Sequence, residues 1–438
     1  PHAVVDFGHR ATFTTEEFEM RRALYAANIL IGNIERKGGI YLGQKPGDYN
    51  KLAGENVAPV LGKPGVKDMP KPAAKRIDQV EEQYAMMWSA GGVYQTVLDA
   101  TLSAVPYQLH GWVMSRTNPM QTMTDRARVV EALKKLDFVA VCDVYISETA
   151  AYADVILPES TYLERDEEIA DKSGKNPAYY VRQRVVETLG DTRPSWQIFK
   201  DIGHKLGLSE FYPWENMETL QLLQVNRDTE LLRRIKDEGF VSFGKPIMLR
   251  EPKMVAEFTK AYANAKPADE DGTYGSLLSF KTPSGKIELT SAKVEAMAPG
   301  RGVIKFREVQ LKKPNELYFI QGKVAVHTNG ATHNVPMLAN LMSDNAVWVH
   351  PDTASKLGIS NGDPIRLTSS VGTEEGHALV TPGIRPDTVF AYMGFGSKNK
   401  ELVRATGKGI HCGNLLPHVT APVCGMTVHT TGVTLAKR

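Results

Sequence analysis

The stretch "FVAVCDVYI", residues 138–146, is apolar at nearly every position. A strand with one wet face alternates apolar and polar residues, whereas a run without alternation marks a strand covered on both faces. Its surroundings repeat the theme. "YQLHGWVM" (107–114) suits a strand and "SRTNPMQT" breaks it. "TDRARVVEALKKL" is an amphipathic helix with Val129, Val130, Leu133 and Leu136 inward. "SETAAYA" is a short helical turn and "DVILP" (154–158) a second buried strand. Strand, helix, strand, helix, strand predicts a parallel α/β sheet, since parallel neighbours need crossovers.

Other segments carry different signals. "TTEEFEMRRALYAANILIG" offers a capping box, with Thr14 as cap and Glu17 reaching back. Leu24, Ala27 and Ile31 follow at helical spacing and Gly32 supplies the stop. Residues 59–75, rich in Pro, Gly and Lys, predict an exposed irregular excursion. Helices are expected within 217–238 and 253–264, and "GSLLSFKTPSGKIELTS" reads as a β-hairpin turning at Pro283–Ser284–Gly285. From Glu316 the texture becomes short strands and turns, the mark of a β-barrel. The expected divisions are an α/β portion over 1–212, a mixed connection over 213–314 and a barrel over 315–438.

Composition narrows the class. The 438 residues carry a net charge of +2, which gives no broad electrostatic case for nucleic acid or an anionic membrane. No run of eighteen apolar residues occurs, so no direct membrane span is expected. Cys142, Cys412 and Cys424 are too few for a disulfide framework. The chain opens at Pro1 with no basic and apolar leader in sight.

Chemistry concentrates in a few places. "VHTNGATHNVPML" (326–338) packs two histidines, two asparagines and two threonines into eight residues. A metal would use the histidines; a large polar cofactor would use nearly all six. The dinucleotide fingerprint fails in both "GFGSKN" and "GKGIHC", and no P-loop, H-E-x-x-H or C-x-x-C occurs. His411, Cys412, His418, Cys424 and His429 crowd the end of the chain. They are zinc-type ligands but lack paired knuckle spacing, so a buried glycine-punctuated loop is the favoured reading. Asp154, Glu159 and Glu164 could form an acid–base pair, though a strand end leading into a solvated acidic helix start is the simpler expectation. In "DFGHRATF", His9 and Arg10 combine a proton donor with a permanent forked cation, which suits an anionic substrate; a surface turn is the alternative.

Together these stretches resemble the molybdopterin oxidoreductases that carry two pyranopterin guanine dinucleotides, the dimethyl sulfoxide reductase superfamily. Four segments carry the resemblance in order: "RRALYAANILIGNIERKGGIY", "TNPMQTMTDRARVVEALKKLDFVAVCDVYISETAAYADVILPESTYLERDEE", "FKTPSGKIELTS", and the C-terminal part from "HTNGATHNVPML" to "CGNLLPHVTAPVCGM". Within the superfamily, "GIHCGNLLPHVTAPVCGM" and "DFGHRATF" look most like catalytic subunits of thiosulfate and polysulfide reductases.

The resemblance implies an α/β parallel-sheet domain, incomplete here, followed by a double-psi-like β-barrel. It implies bis(molybdopterin guanine dinucleotide) with molybdenum as cofactor. Cofactor contacts are implied for His327, Thr328, Asn329, Asn334, Asn414, Asn118, Asp143 and Thr149, and no metal ligand in this chain. The family's [4Fe–4S] cysteines and molybdenum ligand match nothing here, so the chain reads as a C-terminal portion, inactive alone. The implied reaction is two-electron reduction of a small sulfur oxyanion, thiosulfate to sulfide and sulfite, in anaerobic respiration, with Arg10 neutralising the anion and His9 donating a proton. Polysulfide, tetrathionate or arsenate reduction, or a metal-free scaffold subunit of a respiratory complex, are the alternatives. Implied partners are an iron–sulfur electron-transfer subunit and a membrane quinol-oxidising subunit, and the implied compartment is the periplasm.

Overall fold

The computed structural model describes residues 3–6, 8, 13–64, 71–87, 92–309 and 311–438. Two compact units emerge, and neither follows the chain in one run. One gathers 1–7, 21–72 and 159–289; the other gathers 8–20, 73–158 and 290–438.

The expected parallel sheet lies in the second unit. Strands β1 (Gly111–Ser115), β2 (Phe138–Asp143) and β3 (Val155–Pro158) run parallel in that order, with Val113 beside Ala140 and Val141 beside Ile156. The helix Arg126–Lys135 forms because Val129, Ala132 and Leu133 fall on one face, and Asp125 caps it through Arg128 N. That face packs with Leu98, Met114, Val139 and Val141 into one core. Val139 through Cys142 are buried on both faces of β2, as an unbroken apolar run requires.

Several local expectations are corrected. "DVILP" is not buried: Val155 and Ile156 are exposed, because β3 is the sheet's edge and pairs on one side only. The first strand begins at Gly111 rather than Tyr107, and the second ends at Asp143 rather than Ile146. The segment 275–291 forms no ladder; Phe280 N donates to Gly285 O and Gly285 N to Thr282 O, leaving a turn without flanking strands.

The other unit holds an antiparallel sheet, β4 (Ala170–Lys172), β5 (Ala178–Tyr180) and β6 (Phe240–Ser242). Helix Thr229–Glu238 lays Leu232 and Ile235 against Tyr179 and Val241. A further core joins Tyr49, Ile247, Phe258 and Tyr274. Glu159 and Glu164 are neither a working pair nor a solvated helix start. Both are buried; Glu159 meets Arg165 at 2.6 Å, and Glu164 accepts from Thr161 N and Leu189 N.

The expected barrel is closed. Its strands are β7 (Leu317–Gly322), β8 (Val347–Val349), β9 (Pro364–Thr368), β10 (Thr373–Val380), β11 (Thr388–Tyr392) and β12 (Thr431–Lys437). They follow the order β10-β8-β11-β7-β12-β9, with β8·β10 and β7·β11 parallel and the remaining pairs antiparallel. Alternate residues fill the interior: Val347 with Val349, Ile365 with Leu367, Val389 with Ala391, and Val433 with Leu435. No helix among the described residues is long and apolar enough to cross a membrane.

Candidate cofactor-binding cavity

Four segments of the second unit line a cavity of about 220 Å³. They are 121–124, 329–330, 393–394 and 413–416, and Phe13, Tyr94, Gln321, Lys323 and His429 also line it. The close approach depends on small residues. Gly394 sits at φ +97°, and a Cβ there would lie 2.2 Å from the Asn329 carbonyl oxygen. A Cβ on Gly330 would come within 2.6 Å of the Gln121 side chain. The glycine of the failed fingerprint "GFGSKN" therefore serves backbone-to-backbone packing.

The electrostatics favour an anion. No Asp or Glu lines the cavity among the described residues, while Lys323 does. Gln121 donates through Nε2 to Phe395 O at 2.7 Å, which leaves its buried Oε1 without a partner. The buried Thr124 hydroxyl has none either. Buried polar atoms left unpaired are costly, so both are built for a ligand or ordered water at this cavity.

The residues expected from sequence fall into three groups. Asn118 and Thr149 sit beyond the carboxyl ends of β1 and β2, and Asp143 is the last residue of β2, at the sheet end where parallel sheets bind ligands. The Thr149 hydroxyl and N–H both donate to Asn118 Oδ1, and Asn118 Nδ2 donates to the buried Glu148 at 2.6 Å. Asp143 is half-buried and accepts from Val144 N. In the second group, the polar loop, only Asn329 lines the cavity. Thr328 and Asn329 are exposed, and Asn334 Oδ1 accepts from Arg404 N. His327 is buried, its Nε2 donating to Met342 O at 2.7 Å and its Nδ1 facing the Thr332 hydroxyl. Asn414, the third, turns toward the barrel, donating to Glu374 at 2.8 Å; its neighbours Gly413 and Leu416 line the cavity. His9 and Arg10 lie outside the described residues.

Sequence reasoning missed Gln121, Thr124, Tyr94 and Lys323, and took His333 only as the second histidine of the polar loop. His333 stacks on His327 at 4.0 Å between ring centres and meets Phe395 edge-on, with both ring nitrogens buried and unpartnered. Burial, helped by His327, pushes its pKa down to about 4. His411 is also held neutral: burial, then Arg126, pushes its pKa down to about 3. Its Nδ1 accepts from Asn414 N, so the ring hydrogen resides on Nε2. The terminal Cys and His residues are separately engaged. His418 faces Asp99 at 3.0 Å, His429 N donates to Phe13 O, and the Cys412 sulfur lies 3.5 Å from Tyr392 O. No group of three or more His, Cys, Asp or Glu among the described residues could hold a metal ion.

A parallel sheet with polar groups at its carboxyl ends, a closed mixed barrel and an anion-tolerant cavity define a binder of a large phosphorylated cofactor. The molybdopterin oxidoreductase family matches residues 2–205, and the "Molydopterin dinucleotide binding domain" matches 317–431. The chain belongs to the molybdopterin oxidoreductases. It is 57% identical to the thiosulfate reductase molybdopterin-containing subunit PhsA of Salmonella typhimurium, over 100% of this chain and 58% of that protein. It is 26% identical to the assimilatory nitrate reductase catalytic subunit of Bacillus subtilis, over 80% of this chain and 47% of that one. The chain thus spans about half the length of these curated relatives. Acetylene hydratase from Pelobacter acetylenicus shares the fold, with a TM-score of 0.62 at 17% identity, covering 83% of this chain and 50% of that one.

The cavity fits part of such a cofactor. Its volume suits one edge of a pterin or a phosphate, and the unpaired Gln121 oxygen and Thr124 hydroxyl match the mixed donors and acceptors of those groups. Asn329, Gln121, Thr124 and Lys323 are the lining residues whose polar groups could hold such a cofactor.

Proposed function

We propose that this chain is the dinucleotide-binding portion of the catalytic subunit of a thiosulfate reductase. The overall reaction is S₂O₃²⁻ + 2e⁻ + H⁺ → HS⁻ + SO₃²⁻. The S–S bond breaks, the outer sulfur leaves with the electron pair and takes the proton, and the inner sulfur becomes sulfite. Bis(molybdopterin guanine dinucleotide) with molybdenum supplies the two-electron redox chemistry when bound. The chain's own residues supply position and charge. Gln121, Thr124, Asn329 and Lys323 hold polar edges of the cofactor. Asn118, Thr149 and Asp143 fix the sheet-end loops that would receive its nucleotide end. Arg10 neutralises the incoming dianion and His9 donates the proton to the leaving sulfur. Phe13, three positions beyond Arg10, lines the cavity, which supports this assignment.

The observation that carries the reading is the carboxylate-free cavity with Lys323 and two unpaired buried oxygens. The 57% identity to the thiosulfate reductase subunit supports thiosulfate as the substrate. Electrons would enter from a [4Fe–4S] centre outside this chain, from an iron–sulfur partner subunit and a membrane quinol-oxidising subunit, at the periplasmic face. The relative is named as a subunit, which supports an assembly. The test is the full-length protein purified from anaerobic cells. Stoichiometric molybdenum, guanine nucleotide released on acid treatment, and sulfide plus sulfite from thiosulfate with a reduced viologen dye are expected. Metal-free protein would favour a scaffold; loaded protein reducing only tetrathionate, polysulfide or arsenate would move the substrate.

A further inference from the structure

We propose that the open face of the parallel sheet, formed by Val113, Phe138 and Val155, is the docking surface for the rest of the same catalytic subunit, which lays the apolar stripe of a helix across it. The inference rests on the reading of this chain as one portion of a larger catalytic subunit, and not on the choice of thiosulfate as substrate.

Two helices pack on one side of this sheet. Leu98 of the helix Gln95–Ser103 and Val129, Ala132 and Leu133 of the helix Arg126–Lys135 join Met114, Val139 and Val141 in one core. Side chains alternate along a strand, so the residues between these point to the other face. Strand pairing aligns them: Val113 lies beside Ala140, and Ala140 beside Val155. Phe138 precedes Ala140 by two positions in β2 and shares its face. Ala140 and Cys142 are buried, but Val113 is 57% exposed, Phe138 43% and Val155 39%. The half of that face nearer the start of β2 is therefore open, and these side chains on it are all apolar.

An open apolar face is out of place on a parallel sheet, whose two sides are both covered in finished folds. Val113 and Val155 flank the small Ala140 across three strands, so the exposure is one contiguous patch rather than scattered residues. A patch without charge resembles the cut core of an obligate contact, where charged residues are depleted, more than a surface visited by a transient partner. The length of the relative supplies the occupant. The chain matches 58% of the thiosulfate reductase subunit PhsA, so about two-fifths of that protein lies outside the match. Helices that cover an α/β sheet come from the chain that supplies its strands, which favours the remainder of the subunit over a second copy or a separate partner.

The test uses the full-length catalytic subunit, alone and in its complex. Phe138→p-benzoylphenylalanine puts a photo-cross-linker on the face. Irradiation and digestion should yield a link to a peptide of the same chain outside residues 1–438, with the mass of the subunit unchanged. A link to a second copy, to a partner subunit or only within 1–438 overturns the proposal. Val113→Cys and Val155→Cys in the full-length subunit should react with a maleimide at least about a hundredfold more slowly than Ser355→Cys on an exposed helix of the barrel. Slow labelling that holds in the isolated subunit and on dilution supports the same occupant where the cross-linking variant does not accumulate. Protection lost on dilution, or present only in the complex, overturns it, and so does fast labelling at both positions. Enzyme that makes sulfide from thiosulfate yet labels fast at both sinks this inference alone. Protected, cross-linked enzyme that makes no sulfide sinks the thiosulfate reading alone.

Discussion

The Thr149 hydroxyl donates to Asn118 Oδ1 at 2.7 Å, tying the loop that leaves β2 to the loop that leaves β1. The same Thr149 oxygen accepts from Met120 N at 3.1 Å, at the start of the segment that carries Gln121 and Thr124 to the cavity. Asn118→Ala strips acceptors from Thr149 and a donor from buried Glu148. A loss of about 1–3 kcal/mol is expected. Urea unfolding of the purified protein measures it, and a midpoint equal to wild type would show that the loops hold without this bond.

Gly394→Ala forces a side chain into a φ of +97° and toward the Asn329 carbonyl. The polar loop must move away. Backbone strain of this kind costs on the order of 1–3 kcal/mol, and the loop's displacement should reduce guanine nucleotide retained by the full-length enzyme at least severalfold. Retention equal to wild type after gel filtration would mean the loop does not grip the cofactor.

Acid should weaken the fold through His333 and His411. Their folded pKa values, about 4 and about 3, lie below the unfolded value near 6.5. Between those values the unfolded chain binds protons that the folded chain refuses, so stability falls as pH drops from about 6.5 to about 4. Above about 6.5 neither histidine contributes to the slope. His333→Phe keeps the ring contact with His327 and should flatten the slope by on the order of 1–3 kcal/mol across that window. Unfolding free energies from pH 4.5 to 7.5 decide; an identical slope in the variant would place the proton uptake elsewhere.

Arg165 is buried between Glu159 and Glu167, 2.6 Å from each. Arg165→Met takes the shared guanidinium from both carboxylates, leaving Arg182 at 3.8 Å from Glu167, and should cost about 3–5 kcal/mol, whereas removing the charges together costs much less. The triple variant with Glu159→Gln and Glu167→Gln should regain most of the loss. Thermal unfolding of the single and triple variants provides the comparison, and a triple variant no better than the single would remove electrostatics as the cause.

Arg10→Ala in the full-length enzyme should lower thiosulfate turnover about ten- to a hundredfold with cofactor content intact, as loss of a charge-assisted contact to a buried anion predicts. Arg10→Lys should recover part, because lysine lacks the forked geometry. His9→Ala should hurt more at high pH than at low pH, where solvent protons substitute. Steady-state kinetics normalised to molybdenum test all three; full activity in Arg10→Ala would assign the cation elsewhere, with Lys323 the next candidate.

The architecture was legible because it is written in local periodicity. An unbroken apolar run at 138–142 can rest only where both faces are covered, and alternation at 365–367, 389–391 and 433–435 can rest only as strands with one face inward. Those constraints act between neighbours in the chain, so the sequence states them. It did not state that β3 would be an exposed edge, because edge or centre depends on which strands pair, not on the strand's own residues. The cavity is the clearest case. Gln121 meets Phe395 across 274 residues, and Gln95 meets Thr427 across 332. Neither pair leaves a local pattern. The crowded 327–334 loop announced itself by composition, yet its His327 and Asn334 are engaged within the protein and, of its described residues, Asn329 and Gly330 line the cavity. Residue type determined which groups could hydrogen-bond; only the tertiary structure decided which of them were left with an unspent donor or acceptor, because that depends on every other group brought within 3.5 Å.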